Sequence, residues 1–81
     1  MEMRVKLFTA LRDAAGREEV MVPWRQGMTN LDLIKDLKKN FEPLTLLLDA
    51  SFVAVNGRFA ERGTVLMPED EVAVLPPVSG G

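Results

Sequence analysis

The 81-residue sequence predicts an α+β fold, in which one main helix packs on one face of a mixed sheet of about five strands. Short segments with strand-like alternation or β-branched residues recur along the chain, and one longer segment has helical spacing. An Asn56-Gly57 pair, favoured in tight hairpin turns, separates two of the strand patterns. This length supports one small domain rather than two.

The first part of the chain predicts two neighbouring strands. Apolar and charged residues alternate over residues 3–7, and Phe8 follows on the charged side, where solvent or a partner is expected. Residues 10–15 have helical composition and stop at Gly16, which indicates a turn of helix or an ordered loop. Residues 18–22 form the second predicted strand, antiparallel to the first.

The main helix is predicted to begin at Thr29 or Asn30 and to run to about Asn40. Asp32 can complete a weak capping box, and Pro43 opposes any continuation of the helix. The stripe expected to face the sheet consists of Leu33, Ile34, Leu37 and Phe41.

The second half of the chain predicts the rest of the sheet. Residues 44–48 are an apolar run too short to classify by periodicity; a short helical turn is favoured, and burial in the core is expected. A strand at residues 52–55 enters the Asn56-Gly57 turn, a short return strand covers residues 58–60, and residues 71–75 form the last strand. This order of elements is that of a grasp-type roll.

The remaining residues, 76–81, are expected to form a tail outside the domain of residues 1–75. The two prolines favour an extended path of about 3.1 Å per residue, so the tail could reach roughly 19 Å. Glycine has no Cβ, so the end could enter a slot too narrow for side chains. The tail consists of Pro76, Pro77, Val78, Ser79, Gly80 and Gly81.

Composition argues against independent catalysis. The sequence contains no cysteine and no histidine, so thiolate metal sites and Ser-His or Cys-His nucleophilic pairs are absent, and no bound metal or cofactor is expected. The net charge of −2 provides no basic field for nucleic acid. No apolar stretch approaches the roughly 20 residues of a membrane span, and a soluble cytoplasmic protein is expected.

Two further aromatic residues have distinct expected roles. Phe8 on a charged face is typical of an interface anchor, and Leu75 beside the tail would join the same patch if its strand faces that way. Trp24 after Pro23 is expected to be a loop residue that covers the core. Asp70 and Glu71 are neighbours on a strand and point to opposite sides, which excludes a shared acid–base role.

The stretch from Val55 to Gly81 resembles the small subunits of molybdopterin synthase, a family of ubiquitin-like sulfur carriers. The matching segments are Val-Asn-Gly-Arg-Phe, Asp-Glu-Val-Ala and the final Pro-Pro-Val-Ser-Gly-Gly. The opening Val5-Lys6-Leu7-Phe8, followed by residues 10–16, is also similar to the start of that family. Glu69 departs from the pattern, since members often have glycine there, and this alters a turn without affecting the tail.

The resemblance implies a ubiquitin-like β-grasp fold and a carrier cycle at Gly81. A separate ubiquitin-activating-like enzyme would use ATP to adenylate the Gly81 carboxylate, and sulfur would replace the adenylate to give a thiocarboxylate (1-thioglycine). Pro76 to Gly80 would carry this group into the large synthase subunit, where sulfur passes to cyclic pyranopterin monophosphate. Family analogy suggests two small and two large subunits, docked through the sheet face that holds Phe8 and Leu75.

Three alternatives remain open from the sequence. A sulfur carrier for thiamine or another pathway would use the same chemistry at Gly80-Gly81. A ubiquitin-like protein modifier would form an isopeptide with a lysine instead. A small interaction module with a disordered tail would tolerate replacement of both glycines by alanine.

Overall fold

The computed structural model describes residues 1–77, and its elements follow one another in the predicted order. They are β1 (Glu2–Leu7), α1 (Thr9–Ala15), β2 (Glu19–Pro23), α2 (Asn30–Asn40), a 3-10 helix (Glu42–Leu44), α3 (Thr45–Asp49), β3 (Phe52–Val55), β4 (Arg58–Phe59) and β5 (Val72–Leu75).

The five strands form one mixed sheet in the order β2-β1-β5-β3-β4. β1 and β5 are parallel, with Val5 opposite Val72, whereas the other neighbouring strands are antiparallel. β5 therefore lies in the middle and is hydrogen-bonded on both sides. The predicted mixed sheet and the antiparallel pairing of the first two strands are confirmed.

Alternation along the strands decides which face of the sheet is buried. In β1 the burial pattern alternates strictly, and Met3, Val5 and Leu7 are at most 2% exposed. α2 packs Leu33 and Leu37 against this inner face, and both are fully buried. The apolar stripe predicted for the main helix therefore covers one face of the sheet, and within residues 1–77 no helix covers the other face.

The predicted start of α2 is confirmed. Thr29 is the N-cap, its side chain accepts a hydrogen bond from the Asp32 amide, and the Asp32 carboxylate accepts one from the Thr29 amide. The helix ends at Asn40, before Pro43, as the sequence predicts.

Two segments differ from the sequence predictions. The segment before Gly16 is a full α-helix, α1, and Gly16 ends it with a φ of 74°. Residues 44–48 are helical, as favoured, but their predicted burial is wrong at Leu46, which is 84% exposed. A single helical turn directs its side chains all round the axis, so Leu44 and Leu48 reach the core while Leu46 points away.

Loop contacts close the remaining part of the core. The Trp24 indole donates to the Leu66 carbonyl at 2.9 Å and the ring packs against the core, so its predicted role as a covering residue is confirmed. Asn56 and Gly57 both have positive φ, 52° and 82°, as the predicted hairpin turn requires. Within the described residues, no helix is long and apolar enough to cross a membrane.

Candidate functional site

The base of the predicted tail emerges from the middle of the sheet. β5 ends at Leu75, and Pro76 is half-buried while Pro77 is exposed. The four remaining residues of the predicted insertion segment, Val78, Ser79, Gly80 and Gly81, lie outside the described residues. Because β5 is paired with β1 and β3, the sheet fixes the position from which the tail starts.

Phe8 lies beside the base of the tail. Its backbone is extended, with φ −117° and ψ 150°, and its amide donates to the Val74 carbonyl at 3.3 Å. Continued alternation from β1 keeps the Phe8 ring on the outer face, where it is 41% exposed. Leu75, half-buried, follows Ala73 on the same face. The structure thus brings together the two predicted interface residues, and their binding role stays a prediction.

Sequence reasoning did not single out two further exposed rings on this face. Phe52 lies opposite Leu75 and is 53% exposed, while Phe59 lies opposite Ala54 and is 70% exposed. The two rings meet edge to face with centroids 5.7 Å apart. The signal was present in the hairpin register, since Phe52, Ala54 and Phe59 must share a face once the Asn56-Gly57 turn is fixed.

These four side chains form one apolar surface at the end of the sheet where the tail leaves. We call Phe8, Phe52, Phe59 and Leu75 the outer patch. Three of its members lie on the adjacent strands or strand ends β1, β5 and β3, in that order across the sheet. Exposed aromatic residues concentrated on one sheet face are typical of a protein-binding surface.

Charged residues flank the outer patch on β1. Arg4 pairs with Glu19 at 3.1 Å and Lys6 with Glu71 at 3.9 Å, and all four side chains are exposed to solvent. A groove on this side is lined by the outer-face residues of β1, by Met21 of β2, by Asn56 and by residues 68–72. Exposed pairs of this kind add little stability but can set the orientation of a docked partner.

Two carboxylates among the described residues, Asp32 and Asp70, serve hydrogen bonds within the fold. Within residues 1–77 no three potential metal ligands cluster together. Asp70 accepts hydrogen bonds from Asn56 and from the Met67 amide, which supports the prediction that it does not act with Glu71 as an acid–base pair. The Thr29 amide and hydroxyl hydrogen bonds lower the pKa of Asp32, and that carboxylate serves the cap of α2.

A mixed sheet in this strand order, with a helix on one face and the outer patch on the other face at the end of the central strand, has the architecture of a ubiquitin-like domain. A family model described as the ThiS family matches residues 5–81. The chain therefore belongs to the ThiS family of ubiquitin-like sulfur carriers, and the predicted β-grasp fold is confirmed.

Relatives of this chain cover nearly its whole length. It is 29% identical to the molybdopterin synthase sulfur carrier subunit of Dictyostelium discoideum, over 99% of this chain and 96% of the relative. The protein of the same description from Arabidopsis thaliana is 26% identical, over 100% and 84%. The crystal structure of small archaeal modifier protein 1 from Haloferax volcanii superposes with a TM-score of 0.84 at 31% identity, covering both chains completely.

Proposed function

We propose that this protein is the sulfur carrier subunit of a molybdopterin synthase and that the carboxylate of Gly81 carries the sulfur. The observation that supports this most strongly is the likeness, over almost the full length, to two relatives described as such subunits. The family match also includes the Pro-Pro-Val-Ser-Gly-Gly segment on which the proposed chemistry depends.

The proposed cycle begins with an activation that this chain does not perform. A terminal carboxylate, with an ordinary pKa of about 3.3–3.7, is ionised at neutral pH and is a poor electrophile. In a separate ubiquitin-activating-like enzyme, a Gly81 oxygen attacks the α-phosphorus of ATP, and pyrophosphate leaves. The resulting acyl adenylate has a good leaving group, so a sulfur nucleophile can displace AMP. Sulfide would give the thiocarboxylate directly, whereas a persulfide would give an acyl disulfide, from which a thiol releases the thiocarboxylate while a disulfide forms on the donor side.

The second half of the cycle takes place in the large synthase subunit. The tail enters that subunit, the thiocarboxylate sulfur forms a C–S bond to a side-chain carbon of cyclic pyranopterin monophosphate, and the C–O bond at that carbon breaks so that its oxygen substituent leaves. Water then releases the carrier with its carboxylate restored, and sulfur stays on the pterin precursor of the dithiolene. This chain contributes the thin tail and its fixed starting point, whereas acid–base groups come from the partner, in keeping with the absence of histidine and cysteine.

The outer patch is the proposed docking surface for both partners. Phe8 and Leu75 lie where the tail begins, so a protein that binds them would also contact the segment that starts at Pro76. Description of the relatives as subunits supports a large-subunit partner, and we propose an assembly of two small and two large subunits in the cytoplasm.

Intact mass spectrometry tests the proposed loading step. The chain is incubated with its adenylating enzyme, ATP and a sulfur donor, and the terminal residue is expected to gain the mass that separates sulfur from oxygen. A chain lacking Gly81 is the control and should remain unmodified while keeping the same thermal stability. An unchanged mass with an enzyme that loads another carrier would contradict the proposal.

A ubiquitin-like protein modifier is the second candidate, supported by the full-length likeness to small archaeal modifier protein 1 at 31% identity. A protein modifier would form the same Gly81 adenylate as a sulfur carrier. A lysine amine of another protein would then attack the Gly81 carbonyl, AMP would leave, and an isopeptide bond would form. Slow-migrating conjugates that vanish without Gly81 would favour this candidate. Thiocarboxylate formation with restored molybdopterin synthesis, and no conjugates, would favour the sulfur carrier.

A further inference from the structure

The Asn56 side chain holds together the hairpin and the start of β5. Its Oδ1 accepts from the Glu71 amide at 2.9 Å, and its Nδ2 donates to Asp70 Oδ1 at 3.0 Å. The second carboxylate oxygen of Asp70 accepts from the Met67 amide at 2.8 Å. We call this set of contacts the Asn56–Asp70 clamp. It fastens the loop of residues 67–70 to the β3–β4 turn.

Asn56 is also the residue of this chain best suited to spontaneous deamidation. In that reaction the amide nitrogen of the following residue bonds to the asparagine Cγ, the Cγ–Nδ2 bond breaks, and ammonia leaves with the proton of the attacking nitrogen. Water then opens the succinimide to aspartate or isoaspartate, with no change of oxidation state. Gly57 has no side chain to hinder the attack, whereas Asn30 and Asn40 precede leucine and phenylalanine.

We propose that Asn56 is a deamidation site that the Asn56–Asp70 clamp keeps closed in the folded protein. The attack requires the Asn56 carboxamide to turn toward its own main chain, and both of its polar atoms are held by partners on another segment. The turn itself is fixed, since the Asn56 amide donates to the Glu71 carbonyl at 2.8 Å. Opening must therefore precede reaction, as in other local-unfolding processes.

Deamidation would change the surface beside the docking face. Aspartate or isoaspartate at position 56 would bring a second carboxylate toward Asp70, where an amide donor now lies at 3.0 Å. Repulsion between them would release the loop of residues 67–70. Residues 68–70 of this loop line the groove together with Arg4 and Lys6. This consequence for partner binding rests on the proposed function, whereas the protection of Asn56 does not.

The test follows the chemistry on the isolated full chain. Wild-type protein is kept in mildly alkaline buffer, folded or unfolded in urea, and deamidation at each asparagine is quantified by peptide mass mapping. Unfolded protein should react mainly at Asn56, with Asn30 and Asn40 as internal controls. Folded protein should react at least about tenfold more slowly. The hydrogen bond from Asn56 to the Asp70 carboxylate is strong enough to make the closed clamp about tenfold more populated than the open one.

Single substitutions then test whether the Asn56–Asp70 clamp causes the slow deamidation of Asn56 in the folded protein. Asp70→Ala should speed the reaction at Asn56 several-fold in folded protein, whereas Glu69→Ala, an exposed neighbouring acid, should leave it unchanged. Thr29→Ala removes a distant helix cap and controls for a general loss of stability. Equal rates in folded and unfolded wild type would overturn the proposal, and so would equal acceleration by Asp70→Ala and Thr29→Ala.

Discussion

Thr9 is one of two non-glycine residues within residues 1–77 that have a positive φ; its φ is 48°, and its side chain is β-branched. The neighbouring side chains explain the conformation. Leu7 ends β1 in the core, and Leu11 must return to the core one turn into α1, so the chain reverses within a few residues. Phe8 meanwhile keeps its place on the outer face. Packing of the two leucines therefore maintains the strain at Thr9.

Thr9→Gly is expected to stabilise the protein by about 1 kcal/mol, because glycine adopts a positive φ without the Cβ clash. Thr9→Ala keeps a Cβ and is the matched control, with a much smaller change expected. Urea unfolding of the three proteins measures the free energies. If glycine and alanine had the same effect, the left-handed conformation would not be the source of the strain.

Single residues also show which parts of the structure could be predicted from the sequence and which could not. The Asn56-Gly57 turn and the Thr29 cap depend on local chemistry, and both could be predicted. Leu46 and Phe59 show the limit: the sequence predicts burial for Leu46, which is 84% exposed, and predicts nothing for the Phe59 side chain, which is 70% exposed. Their exposure depends on the direction of one helical turn and on strand register, which are tertiary properties.

At the scale of elements, the capping box of α2 is expected to make part of the stability depend on pH. The Asp32 carboxylate accepts hydrogen bonds from the Thr29 amide at 2.9 Å and the Thr29 hydroxyl at 3.1 Å. These bonds, helped by Arg25 and Lys35, hold the pKa of Asp32 below its ordinary value, although burial acts in the opposite direction. Deprotonated Asp32 is thus favoured by folding.

The sign of the pH effect follows from that depressed pKa. The stabilisation is fully present above the unfolded-state pKa and is lost as the pH falls through the folded-state pKa. The difference in unfolding free energy between wild type and Asp32→Asn should therefore shrink in acid. Thr29→Ala should reduce stability at neutral pH by about 1 kcal/mol. An Asp32→Asn difference independent of pH would show that the carboxylate charge is not involved.

The outer patch belongs to the sheet as an element, because β3, β4, β5 and the end of β1 form it together. Phe59→Ala should weaken binding of the large subunit by about 2 kcal/mol, or roughly thirtyfold, if Phe59 is an interface anchor. Its effect on stability should stay near 1 kcal/mol, since the main loss is the edge contact with Phe52. Calorimetric titration and urea unfolding measure the two quantities.

Leu46→Ala provides the matched control for this prediction. Leu46 is even more exposed than Phe59 but lies on α3, away from the outer face. Its replacement should change neither binding nor stability appreciably. Equal weakening by both substitutions, or none by Phe59→Ala, would place the docking surface elsewhere.

At the scale of the whole molecule, the fold separates a rigid surface from the segment proposed to carry the sulfur. β5 is common to both, since it is paired on two sides and leads directly into Pro76. The composition and the Pro-Pro-Val-Ser-Gly-Gly segment already predicted a folded domain followed by a separate tail. The sequence could not show that the apolar residues around the exit extend across three strands, because that surface exists only after β3 and β5 have paired.

The two prolines at the exit are expected to aid binding by limiting the freedom of the tail before it enters a partner. Replacing both Pro76 and Pro77 by glycine should weaken binding to the large subunit by about 1–2 kcal/mol, roughly 5- to 30-fold, since each proline restricts the free chain. In chains that lack residues 78–81, the same replacement should have little effect, because the part of the tail that enters the partner is missing. Calorimetric titration of the four proteins gives the coupling energy directly. An equal effect in long and short chains would mean that the prolines contact the partner themselves rather than prepare the tail.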